Sequence, residues 1–172
     1  MGNLQNRDID YKVTETVRGI TRSYVYENGQ SFREFKSHLE FMGMPFVHIT
    51  IGKCPETGRR IIAKGFIAIG RFSVGIISIG HVAAGFFAVG QAALGFFFLA
   101  QGGIGLGGIG QIAITALLGI GQLATGYIAI GQLAIGYYVL GQAGFGTFLW
   151  TLKTQDPEAL EVFRSVIRLF KP

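Results

Sequence analysis

Residues that could bind a metal or work as acids, bases or nucleophiles are few and scattered. His38, His48, His81 and Cys54 are the candidate metal ligands, but their spacing matches no Cys/His pattern for zinc. They read instead as surface, strand or repeat residues. Gly105-Leu-Gly107-Gly-Ile-Gly110 fits the glycine fingerprint that lets a backbone approach a dinucleotide pyrophosphate. That chemistry also needs an acidic residue about 20 positions on for the ribose, and no Asp or Glu follows before Asp156. With Gly recurring every five residues, the match is a by-product of the repeat. The carboxylates lie outside the repeat in ordinary surface patterns, so no acid–base pair is evident. These residues predict no enzyme, no cofactor, no metal and no small-molecule substrate.

The elements that must position anything else are set by the charge distribution. The chain has 172 residues, 27 Gly, one Cys and a formal net charge of +5. Residues 1–64 hold 10 basic and 7 acidic residues, and 153–172 hold 4 and 3. The 81 residues from Phe72 to Leu152 contain no Asp, Glu, Lys or Arg, where an ordinary soluble domain would carry roughly 20. The positive balance therefore belongs to the flanks and is no nucleic-acid footprint. The uncharged stretch must be buried in lipid, in an assembly, or in both. The polar start MGNLQNRDIDYK predicts no signal peptide, and Asn6 stands where a myristoylation motif wants Ser or Thr.

From Gly65 the chain reads in fives, as GFIAI, GRFSV, GIISI and so on, for seventeen units with one extra residue in Thr115–Ile120. The second position alternates in character. One set is polar: Arg71, His81, Gln91, Gln101, Gln111, Gln122, Gln132 and Gln142. The other is mostly aromatic or aliphatic: Phe66, Ile76, Phe86, Phe96, Leu106, Ala116, Tyr127 and Tyr137. The true unit is thus ten residues. On a helix, a ten-residue step turns about 280°, so neither Gly nor Gln would keep one face. Strands fit better, because positions 3 and 5 are large and often β-branched while position 4 is small.

These features predict an all-β protein, a β-solenoid (β-helix) with five-residue sides and a ten-residue repeat. Gly would turn each corner by a positive φ or tight bend, and positions 3 and 5 would fill the interior. Stacked at about 4.8 Å, some eight and a half two-sided coils would give a length of roughly 40 Å. A four-sided, twenty-residue coil fits the five-residue sides equally well. Outside, one side would carry a Gln ladder whose stacked amides bond to one another, the other an aromatic and aliphatic wall.

The five-residue rhythm over Gly65–Trp150 is similar to that of pentapeptide-repeat proteins. That resemblance implies a quadrilateral β-helix with small and large apolar residues inside, although that family's polar outward positions are here Ala, Ile and aromatics. The segment from Gly43-Met-Pro-Phe-Val-His-Ile through Lys64-Gly-Phe-Ile-Ala-Ile-Gly more closely resembles uncharacterised bacterial proteins with long Gly-Ile-Ala-Ile-Gly arrays. This second resemblance implies the fold and no mechanism.

Three regions follow: a charged N-terminal cap with hairpins (1–64), the hydrophobic solenoid (65–152), and a C-terminal amphipathic helix (153–172). Phe46–Ile51 and Arg60–Lys64 read as a hairpin leading into the first coil. Asn28-Gly29 marks another hairpin turn. Residues 31–42 are open between strand and a helix capped by Ser31 and Glu34. Asp156 and Pro157 start a helix to about Phe170 with Leu160, Phe163, Ile167 and Phe170 on one stripe. Glu161, Arg164, Arg168 and Lys171 lie off the stripe, so the helix either caps the last coil or lies in a membrane interface.

The functional expectation is a non-enzymatic, membrane-associated, self-assembling β-solenoid at the cytoplasmic membrane, a scaffold or pore-like oligomer. Its partners would be other copies of itself and the lipid bilayer, with no nucleic acid. The polar ladder would mediate assembly or line a polar track, with Arg71 and His81 at its mouth. Phe66, Ile76, Phe86, Phe96, Leu106, Tyr127 and Tyr137 would contact lipid or a neighbouring subunit. The alternatives are a soluble structural solenoid whose walls are buried in a homo-oligomer or filament, and a helical multi-pass membrane protein.

Overall fold

The computed structural model describes residues 10–169, and the protein is mostly β. It divides into two compact units, one ending at Gly90 and one beginning at Gln91. The first holds β1 (Lys12–Thr16), β2 (Gly19–Val25), β3 (Ser31–Ser37), β4 (Glu40–Phe41), β5 (Met44–Pro45), β6 (Val47–Ile51), β7 (Ala63–Ile69) and the start of β8 (Phe72–Trp150). The second holds the rest of β8 and α1 (Pro157–Leu169). A six-stranded sheet runs in the order β1-β2-β3-β6-β7-β8.

β1, β2, β3 and β6 pair antiparallel. The Asn28-Gly29 turn forms as the sequence suggests: Gly29 has φ 77°, and the Asn28 side-chain oxygen accepts from Gln30 N–H at 3.0 Å. Residues 31–37 are strand, so the capping-box reading of Ser31 and Glu34 is overturned. The two-residue period of β3 turns Phe32 and Glu34 inward, at 1% and 2% exposure. β4 and β5 form a small hairpin around Met42 and Gly43, both with positive φ.

The expected hairpin between Phe46–Ile51 and Arg60–Lys64 is also corrected, because β6 and β7 pair in parallel, Val47 opposite Ile67. Residues 52–62 return the chain in a crossover, turning where Gly58 N–H donates to the Cys54 carbonyl at 2.8 Å. This makes β6 the first rung of the parallel stack. His48 stands opposite Ala68, which stands opposite Ser78.

Between β7 and the start of β8 paired residues lie ten positions apart: Ala63 pairs with Ser73, Gly65 with Gly75, Ile69 with Ile79. One sequence repeat is one rung. The faces, however, are the reverse of the expectation. Position 4 is buried, at Ala68, Ser78, Ala83, Ala88, Ala113, Ala124, Ala129 and Ala134. Position 3 or 5 side chains such as Val74, Ile79, Ile112, Ile114 and Ile135 are exposed. Five is an odd number, so strict alternation would turn successive pentads inside out. The chain resolves this with a bend at positions 2 and 3, where two consecutive residues face out, which leaves only positions 1 and 4 inward.

That arrangement explains the glycines differently from a positive φ. Among the described residues, Gly126 is the one repeat glycine with positive φ. A Cβ on Gly75, Gly90, Gly131 or Gly146 would instead overlap the main-chain carbonyl ten residues earlier. The interior is correspondingly thin. Ser73 and Ser78, five residues apart, join their hydroxyls across it at 2.7 Å.

Where position 4 is not small, the column compensates. Phe98 is buried, and its ring occupies the space that a Cβ would take on Gly103 and Gly108. Val139 does the same to Gly144. The extra residue of Thr115–Ile120 is absorbed beside Thr115, whose hydroxyl donates to the Thr125 carbonyl at 2.6 Å while Thr125 Oγ1 accepts from Thr115 N–H at 3.2 Å.

α1 starts at Pro157 as read from the sequence. The Asp156 carboxylate accepts from Leu149 N–H at 2.6 Å, tying the helix start to the last strand segment. Ala159 and Phe163 are buried, and Phe163 packs on Trp150 with ring centroids 6.2 Å apart. Phe170 and Lys171 lie outside the described residues. The helical multi-pass alternative is overturned: among the described residues no helix is long and apolar enough to cross a membrane.

Candidate functional site

The outward positions of the repeat form the candidate site. Arg71, His81, Gln91, Gln101, Gln111, Gln122, Gln132 and Gln142 are all exposed. Arg71 and His81 border one hollow of about 340 Å³ together with Arg60 and Thr50. On the alternate pentads Ile76, Phe86, Phe96, Leu106, Tyr127 and Tyr137 are exposed too. Columns ten residues apart stack in register: Tyr127 lies on Tyr137 at 5.1 Å and 6°, and Tyr138 on Phe148 at 5.3 Å and 20°.

Phe66 departs from the expected wall. It stacks on Phe46 at 5.0 Å and meets Phe41 edge-on at 5.6 Å, so the N-terminal elements cover it. The wall gains residues the sequence reading had placed inside. Leu94, Leu99, Ile104, Ile109 and Leu117 are each at least half exposed. In all, 24 large apolar or aromatic residues between Phe72 and Phe145 are exposed, which makes the uncharged stretch apolar on its outside and alanine-filled within.

A second cluster escaped the sequence reading. Glu34 was placed in a surface pattern, yet its carboxylate is buried and accepts from Arg22, from Lys36 Nζ at 3.1 Å and from His48 Nε2 at 3.0 Å. Lys64 N–H donates to His48 Nδ1 at 2.9 Å, so the ring is placed as an acceptor there and a donor toward Glu34. Chiefly the His48 hydrogen bond, then Arg22 and Lys36, holds the Glu34 carboxyl down at about 2 against the cost of burial. His48 and Lys36 also line a cavity of about 700 Å³ with Glu40, Lys64 and the β5 turn. Two signals were available: alternation of Phe32, Glu34 and Lys36 along a strand, and a histidine at an inward repeat position. The cluster joins β2, β3, β6 and β7, and it secures the junction between the antiparallel sheet and the parallel rungs.

The candidate metal ligands do not converge. His38 Nε2 lies 3.1 Å from the Thr16 carbonyl, and Cys54 is buried near the Tyr11 hydroxyl, 3.9 Å away. Gly105–Gly110 lies inside β8, where Gly108 receives the Phe98 ring. Among the described residues no three His, Cys, Asp or Glu side chains group to hold a metal. Comparison with protein-family models, curated proteins and solved structures finds no match for this chain.

Proposed function

We propose that the chain is a non-enzymatic, self-assembling β-solenoid of the Gly-Ile-Ala-Ile-Gly-array kind, embedded in the cytoplasmic membrane. The single observation that carries this reading is the inverted hydrophobic order of the repeat, with Ala and Gly inward and Ile, Leu and Phe outward. Each large apolar side chain removed from water contributes about 1.5–3 kcal/mol. Placing them outside forfeits that term unless lipid or another copy covers them.

The backbone suits such a place. The ten-residue parallel pairing of β7 with β8, continued along the repeat, would satisfy main-chain groups from rung to rung, as a bilayer interior demands. The first rung is covered by the N-terminal sheet, and the last strand segment is held to α1 through Leu149 and Asp156. The Gln column is the polar exception, and stacked amides can satisfy one another along the axis. It is the surface through which copies would meet or enclose a polar track. The basic excess of the first 64 residues favours a cytoplasmic position for that flank by the positive-inside tendency.

Flotation of the expressed protein on a density gradient is the test. Recovery with the membrane band, released by detergent and not by high salt, is expected. Recovery without detergent as a large soluble particle would overturn membrane embedding and favour a soluble homo-oligomer with the same walls buried.

A further inference from the structure

Toward its C-terminal end the exterior of the second unit gains amphipathic aromatics and then charge, while Leu133, Ile135, Phe145 and Leu152 stay exposed among them. From Leu94 to Leu118 the large apolar side chains exposed are Leu, Ile and Phe, beside Gln101 and Gln111 of the polar column. Within the repeat, tyrosine occurs at Tyr127, Tyr137 and Tyr138, close to the end, and the chain's one tryptophan is Trp150. The first positive charge after Arg71 is Lys153, which is exposed. Tyr137 and Tyr138 meet edge-on at 5.0 Å and join the Tyr127 and Phe148 rings in one cluster. Trp150 then packs on Phe163 of α1, fixing the helix beside the final rung.

α1 buries one face and leaves Glu161, Arg164 and Arg168 exposed on the other. Arg164 and Arg168 sit one turn apart and border a groove of about 380 Å³ with Leu160 and Ser165. Glu161 lines the same groove, leaving it with one positive charge in excess. Two guanidiniums beside an apolar floor suit lipid phosphates. Tyrosine and tryptophan, with apolar bodies and polar tips, favour the boundary between hydrocarbon and head groups. Amphipathic aromatics that appear only beyond an aliphatic and Phe stretch, and are followed by cations, match the passage from the middle of a leaflet toward its surface, with Leu133, Ile135, Phe145 and Leu152 supplying apolar contact in the same zone.

We infer that the C-terminal end of the repeat is a membrane interface, with Tyr127, Tyr137, Tyr138 and Trp150 as its aromatic belt and α1 lying at head-group level. This rests on the membrane-embedded reading and adds to it a fixed depth. Leu117 precedes Trp150 by three rungs, or about 15 Å at the ordinary strand spacing. That equals half of a hydrocarbon core about 30 Å thick. Leu117 is 57% exposed, so a reporter can replace it.

Trp150 is itself the reporter. The full chain is reconstituted in phosphatidylcholine–phosphatidylglycerol vesicles carrying lipids brominated either near the ester or near the terminal methyl. Trp150 emission should be lost mainly to the shallow bromines. In Trp150→Phe with Leu117→Trp, the loss should move to the deep bromines. Equal loss at both depths, or deeper quenching of Trp150, overturns the inference while leaving membrane embedding intact. No quenching at either position, with the protein floating apart from the vesicles, overturns the embedded reading and this inference with it.

Discussion

The pairing of Phe98 with Gly103 and Gly108 can be tested by substitution. A Cβ on Gly108 would stand 2.5 Å from Phe98 Cδ1 and nearer still to Cε1 and Cζ; one on Gly103 would stand 2.8 Å from Cγ. Carbon atoms pack comfortably at about 3.5–4.0 Å, so either methyl must displace the ring by about 1 Å or more. The ring has little room to yield, since a Cβ on Gly105 would also lie 3.2 Å from Cδ1. Gly108→Ala should therefore cost about 1–3 kcal/mol, the range for overpacking a filled core. Phe98→Ala alone should cost about 3–5 kcal/mol by opening a void above the two glycines. The triple variant Phe98→Ala, Gly103→Ala, Gly108→Ala rebuilds the alanine column seen at Ala83 and Ala88, each 1% exposed. It should return to within about 1 kcal/mol of the parent, a strongly non-additive result. Thermal loss of the strand circular dichroism signal, in one fixed solvent, reads this at about 2–4 °C per kcal/mol. Additive losses across the three substitutions would refute the steric account of the glycines.

Three further outcomes are expected. Gly131→Ala should unfold the repeat or cost several kcal/mol, because its Cβ overlaps the Gly121 carbonyl, whereas Gly102→Ala, with nothing within 4 Å, should be neutral or slightly stabilising by unfolding midpoints. Glu34, held at about 2 against an ordinary 4.5, contributes stability that is full above pH 4.5 and lost as pH falls toward 2. The loss is about 3 kcal/mol from the linkage relation, and Glu34→Gln should flatten this acid limb of the denaturation midpoint. Replacing Gln122 and Gln132 with Leu should alter particle size or conductance more than the same change at Tyr127 and Tyr137; equal effects by light scattering and bilayer recording would remove the special role of the Gln column.

Much of the fold is legible in residue order. Ten-residue periodicity rejects helices because 280° per step smears every face, and the strand runs through the repeat as that argument requires. Asp156-Pro157 and Asn28-Gly29 mark local chain events, which depend on neighbours in sequence and are therefore readable there. The sites are less legible. Glu34 and His48 are 14 residues apart and meet only because β3 and β6 are paired antiparallel. Phe98 looks like one more large residue until the stack sets it over two glycines.

What residue order determined by itself is the period, the uncharged span and the strand character of the repeat. Which way its side chains face was decided by tertiary structure. An odd five-residue side must bend somewhere, and alternation alone permits the bend at Gly or two residues later. Backbone stacking at ten-residue offset makes the choice: the carbonyl of one rung leaves no room for a Cβ on the next, so Gly turns inward, Ala joins it, and Ile, Phe and Gln face out.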